Sequence, residues 1–266
     1  MIGGEIAVVG GFNGDGSSSS RVDLYSPALG VWHRGPDLPV ALNHAAVAAA
    51  GGRLYVVGGY AGGLVGNLRR AFVLDGGRWR ELPRPPFARA AAGAAVVRGK
   101  LFVVGGRGPA GLAKAMLVLD LSTRRWSLAP GPTPREHLAV TSAGGLVYAL
   151  GGRMAGYDTN LRAFESYTPA DGVWHRLPAL PAARGGTGAA AAASMIVSVG
   201  GEEPAGSIAS VYGYDLARGV WHRLPDLPTP RHGLGVAAVG KRVYVIGGGP
   251  EPGLTVSGAN EFLDLR

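Results

Sequence analysis

The chain contains no cysteine. This absence excludes disulfide bonds, thiolate nucleophiles and thiolate metal ligands, and it suits a reducing compartment. No hydrophobic run reaches the length of a membrane span, and no basic-then-apolar leader opens the chain. We therefore expect no membrane contact. The compartment stays open: cytoplasmic for the chain as written, secreted or periplasmic for a chain with a preceding signal.

Lysine is scarce, because 23 of the 26 basic residues are arginine, and the formal net charge is +8. The arginines are scattered through the whole chain rather than clustered, which argues against a specific nucleic-acid surface. Two interpretations remain. Arginine with abundant Ala and Gly is typical of a GC-rich coding sequence, which fits a bacterial source. Alternatively, the arginines form a field that binds anions.

Motifs of catalysis are also missing. The chain has no Gly-x-Ser-x-Gly elbow, no phosphate-binding loop and no His-Glu-x-x-His pair. Three of its six histidines follow a tryptophan in separate copies of one pattern, at His33, His175 and His222. Equivalent positions in separate repeats cannot converge on one ion. We predict no metal site, no cofactor and no catalytic residue.

The chain does contain six copies of a short apolar run that ends in a glycine doublet. The doublets begin at Gly10, Gly58, Gly105, Gly151, Gly200 and Gly247, with spacings of 46 to 49 residues. A tryptophan follows each of the first five by 21 to 23 residues, at Trp32, Trp79, Trp126, Trp174 and Trp221. A period of this length indicates one supersecondary unit stacked on copies of itself.

Each unit is interpreted as four antiparallel strands. The first strand is small and apolar, as in residues 44–50, 91–97 and 188–194. Alanine propensity favours helix there, but these segments sit directly before the apolar strand that ends in Gly-Gly, which predicts a strand. The third strand ends in Tyr or Leu-Asp, the fourth opens with the tryptophan, and Leu-Pro closes the unit. Four-stranded units repeated radially predict a β-propeller.

The glycine doublet, the tryptophan that follows it and the Pro-x-Arg link resemble kelch repeats, over almost the whole chain. The resemblance implies an all-β, six-bladed kelch β-propeller in one domain over residues 1–266. The blades are expected at roughly 1–42, 43–88, 89–134, 135–183, 184–230 and 231–266.

The first and last blades are predicted to be incomplete. A sixth tryptophan would fall just past Arg266, and the chain begins at the turn before a second strand, which leaves about 22 strands. Kelch propellers commonly close by completing one blade from both termini. We therefore expect the chain to be short at its N-terminus by roughly 30 residues. The alternatives are a ring with a gapped inner wall, or completion by another chain through the unpaired terminal blades.

The long loops and the inter-blade links should share one face, because successive antiparallel strands place their connections on alternate faces. We expect a binding site where this loop-rich face meets the central channel. Its candidates are the link arginines, with Asn43 at their first equivalent position, the residues that follow them, and those after the doublets: Asn43, His44, Tyr60, Arg89, Arg107, Arg135, Glu136, Arg153, Arg184, Glu202, Arg231 and His232.

Two roles are open for the repeated arginines: recognition of an anion by converging guanidinium groups, or a scaffold role bonding loop carbonyls. We predict a non-catalytic scaffold that binds a protein segment, such as an acidic peptide, or a small anionic or carbohydrate ligand. The alternative is a carbohydrate-active enzyme resembling bacterial kelch sialic-acid mutarotases, with Glu136 or Glu202 as acid or base beside Arg135 or Arg184. Facing carboxyls with raised pKa would favour the enzyme.

Overall fold

The computed structural model describes residues 1–265 of the chain, which form a ring of six antiparallel sheets. Four sheets have four strands and two have three. These 22 blade strands, with six more in short hairpins, give 28 strands, β1 to β28. The prediction of an all-β, six-bladed propeller is therefore confirmed. One 3-10 turn lies at Tyr157–Thr159. Within residues 1–265 no helix is both long and apolar enough to span a bilayer.

Blades 2 to 5 are complete. Blade 2 contains β4 (Ala46–Ala50), β5 (Arg53–Val57), β8 (Ala71–Asp75) and β9 (Arg78–Glu81). Blade 3 contains β10 (Gly93–Val97), β11 (Lys100–Val104), β14 (Ala115–Asp120) and β15 (Arg125–Pro130). Blade 4 contains β16 (Ala139–Ala143), β17 (Leu146–Leu150), β18 (Phe164–Thr168) and β19 (Val173–Arg176). Blade 5 contains β20 (Gly188–Ala192), β21 (Met195–Val199), β24 (Val211–Asp215) and β25 (Val220–Leu224).

The terminal blades have three strands each. Blade 1 contains β1 (Ile6–Val9), β2 (Val22–Ser26) and β3 (Val31–Arg34). Blade 6 contains β26 (Gly235–Val239), β27 (Arg242–Ile246) and β28 (Asn260–Asp264). Within the described residues, blade 1 thus has no inner strand and blade 6 no outer one. Side chains close the ring between them: Ile6 packs with Tyr244 and Ile246, and the Tyr25 and Tyr244 rings lie 5.8 Å apart.

Three of the loops between second and third strands fold into hairpins, which the sequence pattern does not predict. They are β6 (Tyr60–Gly62) with β7 (Val65–Asn67), β12 (Arg107–Gly108) with β13 (Gly111–Leu112), and β22 (Glu202–Glu203) with β23 (Gly206–Ser207). Each hairpin starts at the residue directly after a glycine doublet. The doublet therefore passes from a blade strand into a structured loop on the loop-rich face.

The alanine-rich segments are inner strands, as predicted, because the blades crowd together at the axis. A Cβ placed on Gly93 would lie 2.4 Å from Cγ2 of Val140 in the next blade, and one on Gly188 would lie 2.3 Å from Cγ2 of Val236. Even an alanine at either glycine would push the neighbouring inner strands apart. Tertiary crowding thus overrides the helix propensity of alanine.

The tryptophans fasten neighbouring blades at the perimeter. The indole Nε1 of Trp79 donates to the Pro36 carbonyl of the preceding blade at 2.8 Å, and Trp126 donates to Pro83 at 2.7 Å. The same bond recurs at Trp174 and Trp221. Trp32 has no such partner among the described residues, because blade 6 lacks the fourth strand that would supply it. This indole is 43% exposed.

Candidate functional site

A series of backbone hydrogen bonds joins blades 2 to 6 around the channel on the loop-rich face. Ala91 donates to His44 at 3.0 Å and His137 donates to Ala91 at 2.9 Å; Gly186 then donates to His137 at 2.9 Å, and Gly233 to Gly186 at 2.8 Å. All five residues have left-handed backbone, with φ between 51° and 63°. Equivalent residues from blades 2 to 6 therefore meet at one rim, which we call the mouth.

The inter-blade links run beside the residues that follow the glycine doublets. Paired bridges join Asn43 to Tyr60, Ala90 to Arg107, Glu136 to Arg153, Gly185 to Glu202 and His232 to Gly249. The second glycine of each of the first five doublets donates to a residue of the link that follows its own blade, so Gly11 N bonds Leu42 O as Gly106 N bonds Arg135 O. The arginine position in the first link is therefore Leu42. Aligning Asn43 with the arginines was wrong by one residue.

The link arginines lie inside the blades rather than at the mouth. Arg135 is fully buried, donates to the carbonyls of Thr133 (2.8 Å) and Ala149 (3.1 Å), and forms an ion pair with Glu165. Glu165 also accepts bonds from the backbone and hydroxyl of Thr133. Arg135 thus clamps the second and third strands of blade 4 together.

The other three arginines repeat this arrangement with different acceptors. Arg89 bonds the Gly105 and Ala115 carbonyls, at 3.2 and 3.3 Å. Arg184 bonds Ser210 through its carbonyl and hydroxyl, and Arg231 pairs with Glu261 at 3.0 Å. Burial lowers the pKa of Arg89 and Arg184 to about 10, which leaves both charged at neutral pH. All four are buried and bonded within the blades, so the geometry favours the scaffold alternative over anion recognition.

The mouth itself holds a network centred on Arg153. Its Nη1 lies 2.6 Å from Oε1 of Glu202, and its Nε lies 3.7 Å from Oε1 of Glu136. His232 faces the other Glu202 oxygen through Nδ1 at 3.3 Å, and its Nε2 lies 2.9 Å from the Glu251 carbonyl. The guanidinium of Arg153 also stacks 5.0 Å from the ring of Tyr157. Arg153, Glu136, Glu202 and His232 are all buried.

Arg107 is the cationic side chain of the mouth that remains exposed to solvent. Its side chain is 42% exposed, and its Nε lies 3.6 Å from Oε2 of Glu136, beyond hydrogen-bond distance. Its backbone is rigid, because it exchanges bonds with Ala90 and its carbonyl accepts a bond from Asn67 Nδ2 at 3.1 Å. Arg107 therefore presents a guanidinium on a fixed base.

The opposite side of the mouth is aromatic. The His44 ring lies 4.8 Å from His137, 5.6 Å from Phe12 and 5.7 Å from Tyr60. His44 Nδ1 lies 2.6 Å from Asn43 Oδ1, whose amide nitrogen donates elsewhere, so Nδ1 carries the proton and Nε2 is an acceptor.

Burial shifts the pKa values of two side chains on this aromatic side, His44 and Tyr60. Desolvation, with the charges of His137 and Arg153, lowers the pKa of His44 to about 3. Burial also raises the pKa of Tyr60, with Glu136 adding to the shift. Both side chains are therefore neutral at neutral pH. The mouth thus places the neutral side chains of His44 and Tyr60 beside the charged groups of Arg107, Arg153, Glu136 and Glu202.

Glu136 does not have the raised pKa that acid catalysis needs. Burial alone would raise the pKa of Glu136, but a bond from His137 and the charges of His137, Arg107 and Arg153 outweigh it, so the pKa is lowered. Glu202 is tied to Arg153 and His232. This geometry gives no support to the mutarotase-like alternative. Among residues 1–265 no group of three His, Asp or Glu side chains could hold a metal ion.

Two residues of the mouth lie outside the predicted set. His137 belongs to the series of backbone bonds and meets the His44 ring edge to face, and Phe12 packs against the same His44 ring. Each shares a repeat position with a predicted residue, since His137 is equivalent to His44 and Phe12 follows a glycine doublet as Tyr60 does. Treating every member of a repeat position alike would have found both.

Comparison with known proteins places the chain in a family. The family model of the KLHDC2/KLHL20/DRC7 Kelch-repeats domain matches residues 1–177. The Kelch-like protein terF of Aspergillus terreus is 28% identical over 222 residues, 76% of this chain and 48% of that protein. An F-box/kelch-repeat protein of Arabidopsis thaliana is 35% identical over 71 residues, 26% of this chain and 18% of that protein. The chain thus spans about half or less of each relative's length. With the family model matching most of its residues, the chain belongs to the kelch-repeat family.

Proposed function

We propose that this kelch propeller is a binding scaffold that takes a protein segment at the mouth of its loop-rich face, and that the segment carries an acidic residue. A kelch propeller is consistent with protein binding. Six rigid blades hold loops whose mouth residues differ from one another, which is how scaffolds commonly present recognition surfaces. The position of the site and the chemistry of the segment are the parts that need testing.

The observation that carries the proposal is the state of Arg107. The buried arginines of the links and of the mouth have partners, whereas Arg107 is half exposed and has only a loose contact with Glu136. A carboxylate can bind a guanidinium through two parallel hydrogen bonds, which Glu136 does not form. An acidic side chain of a docking segment would supply them.

Apolar loop tips supply the second element of a peptide-binding surface. Leu64 and Val65 are exposed at the tip of the β6–β7 hairpin, and Met154, Leu254 and Val256 are exposed on the loops of blades 4 and 6. Exposed apolar groups next to polar ones are found on surfaces that bind proteins. The segment we expect therefore has apolar residues on both sides of its acidic one.

Selection from a displayed library of random linear peptides tests the proposal. We expect the selected peptides to carry an acidic residue flanked by apolar ones. Their affinity should fall at least about tenfold in Arg107→Ala, because a charge-assisted bond is lost. Arg78→Ala, a matched removal of an exposed arginine from outer strand β9, should leave the affinity unchanged. Selected peptides that bind Arg107→Ala as tightly as the native chain would overturn the proposal.

A further inference from the structure

A cleft of 620 Å³ lies at the perimeter between blades 2 and 3, open to solvent. One wall is formed by residues 81–84, at the end of blade 2, and the other by Thr123 and Arg124, in the turn before the outer strand of blade 3. The Trp126 indole joins the two walls through its 2.7 Å bond to the Pro83 carbonyl. The walls are therefore held at a fixed separation.

Both walls carry an arginine without an ionic partner. Within residues 1–265, neither Arg84 nor Arg124 has a side-chain hydrogen bond or a carboxylate within 4.0 Å. The carboxylate of Glu81 also lines the cleft, but Arg70 holds both of its oxygens, at 2.9 and 2.8 Å. The nearby Asp120 carboxylate accepts bonds from within its own turn. Arg70 thus compensates the charge of Glu81, and the cleft holds two guanidinium groups without a carboxylate of the described residues within 4.0 Å.

Arg124 occupies a backbone conformation that favours glycine. Its φ is +58°. The residue two before the tryptophan is glycine in the four other blades that have this turn, with φ from 70° to 77°: Gly30, Gly77, Gly172 and Gly219. A side chain in the left-handed region is strained, and strained residues cluster at functional sites. No contact among the described residues explains why arginine stands here.

None of the three other described boundaries with a tryptophan–proline bond has arginines at both of these positions. The residue after the acceptor proline is Asp37, Gly131 or Ala179 at the equivalent boundaries, where Arg84 stands here. The facing turn holds Gly76 and Gly77, or Asp171 and Gly172, or Arg218 and Gly219. Arg218 is paired with Asp215 of its own turn, at 3.1 Å. The charge of the blade 2/3 cleft is therefore not a by-product of the repeat.

We propose that this cleft binds a phosphate group, with Arg84 and Arg124 gripping it from opposite walls. A phosphate monoester carries close to two negative charges at neutral pH, matching two guanidinium groups that each offer a fork of donors. Exposed Arg78, Arg80 and Arg125 on the adjoining outer strands add to the attraction. The phosphate is either a free anion or a phosphorylated side chain of a partner, and both share this chemistry.

Calorimetric titration tests the proposal with three probes: inorganic phosphate, a phosphoserine peptide and the same peptide with unmodified serine. We expect a phosphate-bearing probe to bind and the serine peptide not to bind. Arg84→Gln and Arg124→Gly should each weaken binding at least about tenfold. Tighter binding of the phosphopeptide than of inorganic phosphate would identify a protein-borne group, and equal binding a free anion.

The melting temperature of Arg124→Gly also separates a binding role of Arg124 from a role in stabilising the fold. Because glycine relaxes the left-handed turn, the melting temperature of this variant should be about 2 °C or more above that of the native chain. Its affinity for phosphate should fall at the same time. Arg218→Gln, with the same charge change in the equivalent turn of blade 5, should leave phosphate binding unchanged. No binding of either phosphate probe, or equal binding by the native chain and the Arg84→Gln/Arg124→Gly double variant, would overturn the proposal.

Discussion

Arg135 and Glu136 are consecutive residues of one link, yet they belong to different regions of the molecule. Arg135 points into blade 4, where it is fully buried against Glu165 and backbone carbonyls. Glu136 points to the mouth, where it faces Arg107, Arg153 and His137. Extended backbone places successive side chains on opposite sides. Each link therefore has an inner side, which faces into the blade, and an outer side, which faces the mouth.

The two sides also differ in how far they repeat. The inner position holds arginine in four links and leucine in the first, and each arginine bonds strands of the blade that follows. The outer position changes in every link: Asn43, Ala90, Glu136, Gly185 and His232. The recurring arginine stabilises each blade in the same way, whereas the varied outer residues can determine which ligand binds.

The largest effect should come from the inner side. Arg135→Ala removes the partner of a buried carboxylate, which typically costs about 3–5 kcal/mol of unfolding free energy. Urea denaturation measures this loss. The double variant Arg135→Met/Glu165→Met, which leaves no buried charge, should recover most of it. A loss below about 1 kcal/mol in the single variant would mean that the clamp does not hold the blade.

The glycine beside the link should distinguish complete blades from the first one. A Cβ on Gly59 would lie 2.6 Å from the Asn43 carbonyl, whereas one on the equivalent Gly11 would meet nothing within 4 Å. Both glycines have positive φ, so alanine strains both alike. We expect Gly59→Ala to be less stable than Gly11→Ala by about 1–3 kcal/mol, because of the additional clash. Equal losses in urea would show that the link does not press on the doublet.

His44 should make stability depend on pH. Its pKa lies at about 3 in the fold, against 6.5 ordinarily, so between these values the unfolded chain binds more protons. Stability from this group is full above pH 6.5 and falls as the pH drops, by up to about 2 kcal/mol at pH 5. His44→Asn, which tolerates the left-handed backbone, should remove that part of the loss. Unfolding midpoints of both proteins at pH 7 and pH 5 give the comparison; identical pH dependence in the two would contradict it.

The smallest effect on stability should come from Arg107 at the mouth. Arg107→Ala leaves the backbone bonds of the β12–β13 hairpin in place and removes a half-exposed side chain without a strong partner. We expect its unfolding free energy to stay within about 0.5 kcal/mol of the native value. A loss as large as that of Arg135→Ala would place Arg107 in the scaffold with the link arginines.

The fold could be predicted because the same requirements recur in each blade. A doublet glycine must have positive φ and let a link pass closely, and the outer-strand tryptophan must reach the proline of the preceding blade. Both requirements recur in the printed sequence at a fixed period. The hairpins at β6, β12 and β22 could not be predicted, since their short pairings follow no periodic pattern.

The direction of side chains in the links could not be predicted in the same way. Arg135 and Glu136 are equally polar, and the sequence does not tell which of two neighbours in an extended link points inward. A shift of one residue exchanges the two sides. This is why Asn43 was aligned with the arginines although Leu42 fills their place, buried in the core.

The affinity of one selected peptide for two variants tests most directly whether recognition belongs to the mouth and architecture to the buried link arginines. Arg107→Ala is expected to fold normally and lose the peptide at least about tenfold, whereas folded Arg135→Met/Glu165→Met is expected to bind it as the native chain does. Undiminished affinity in the Arg107 variant, with binding lost in the folded double variant, would contradict the division and return recognition to the link arginines.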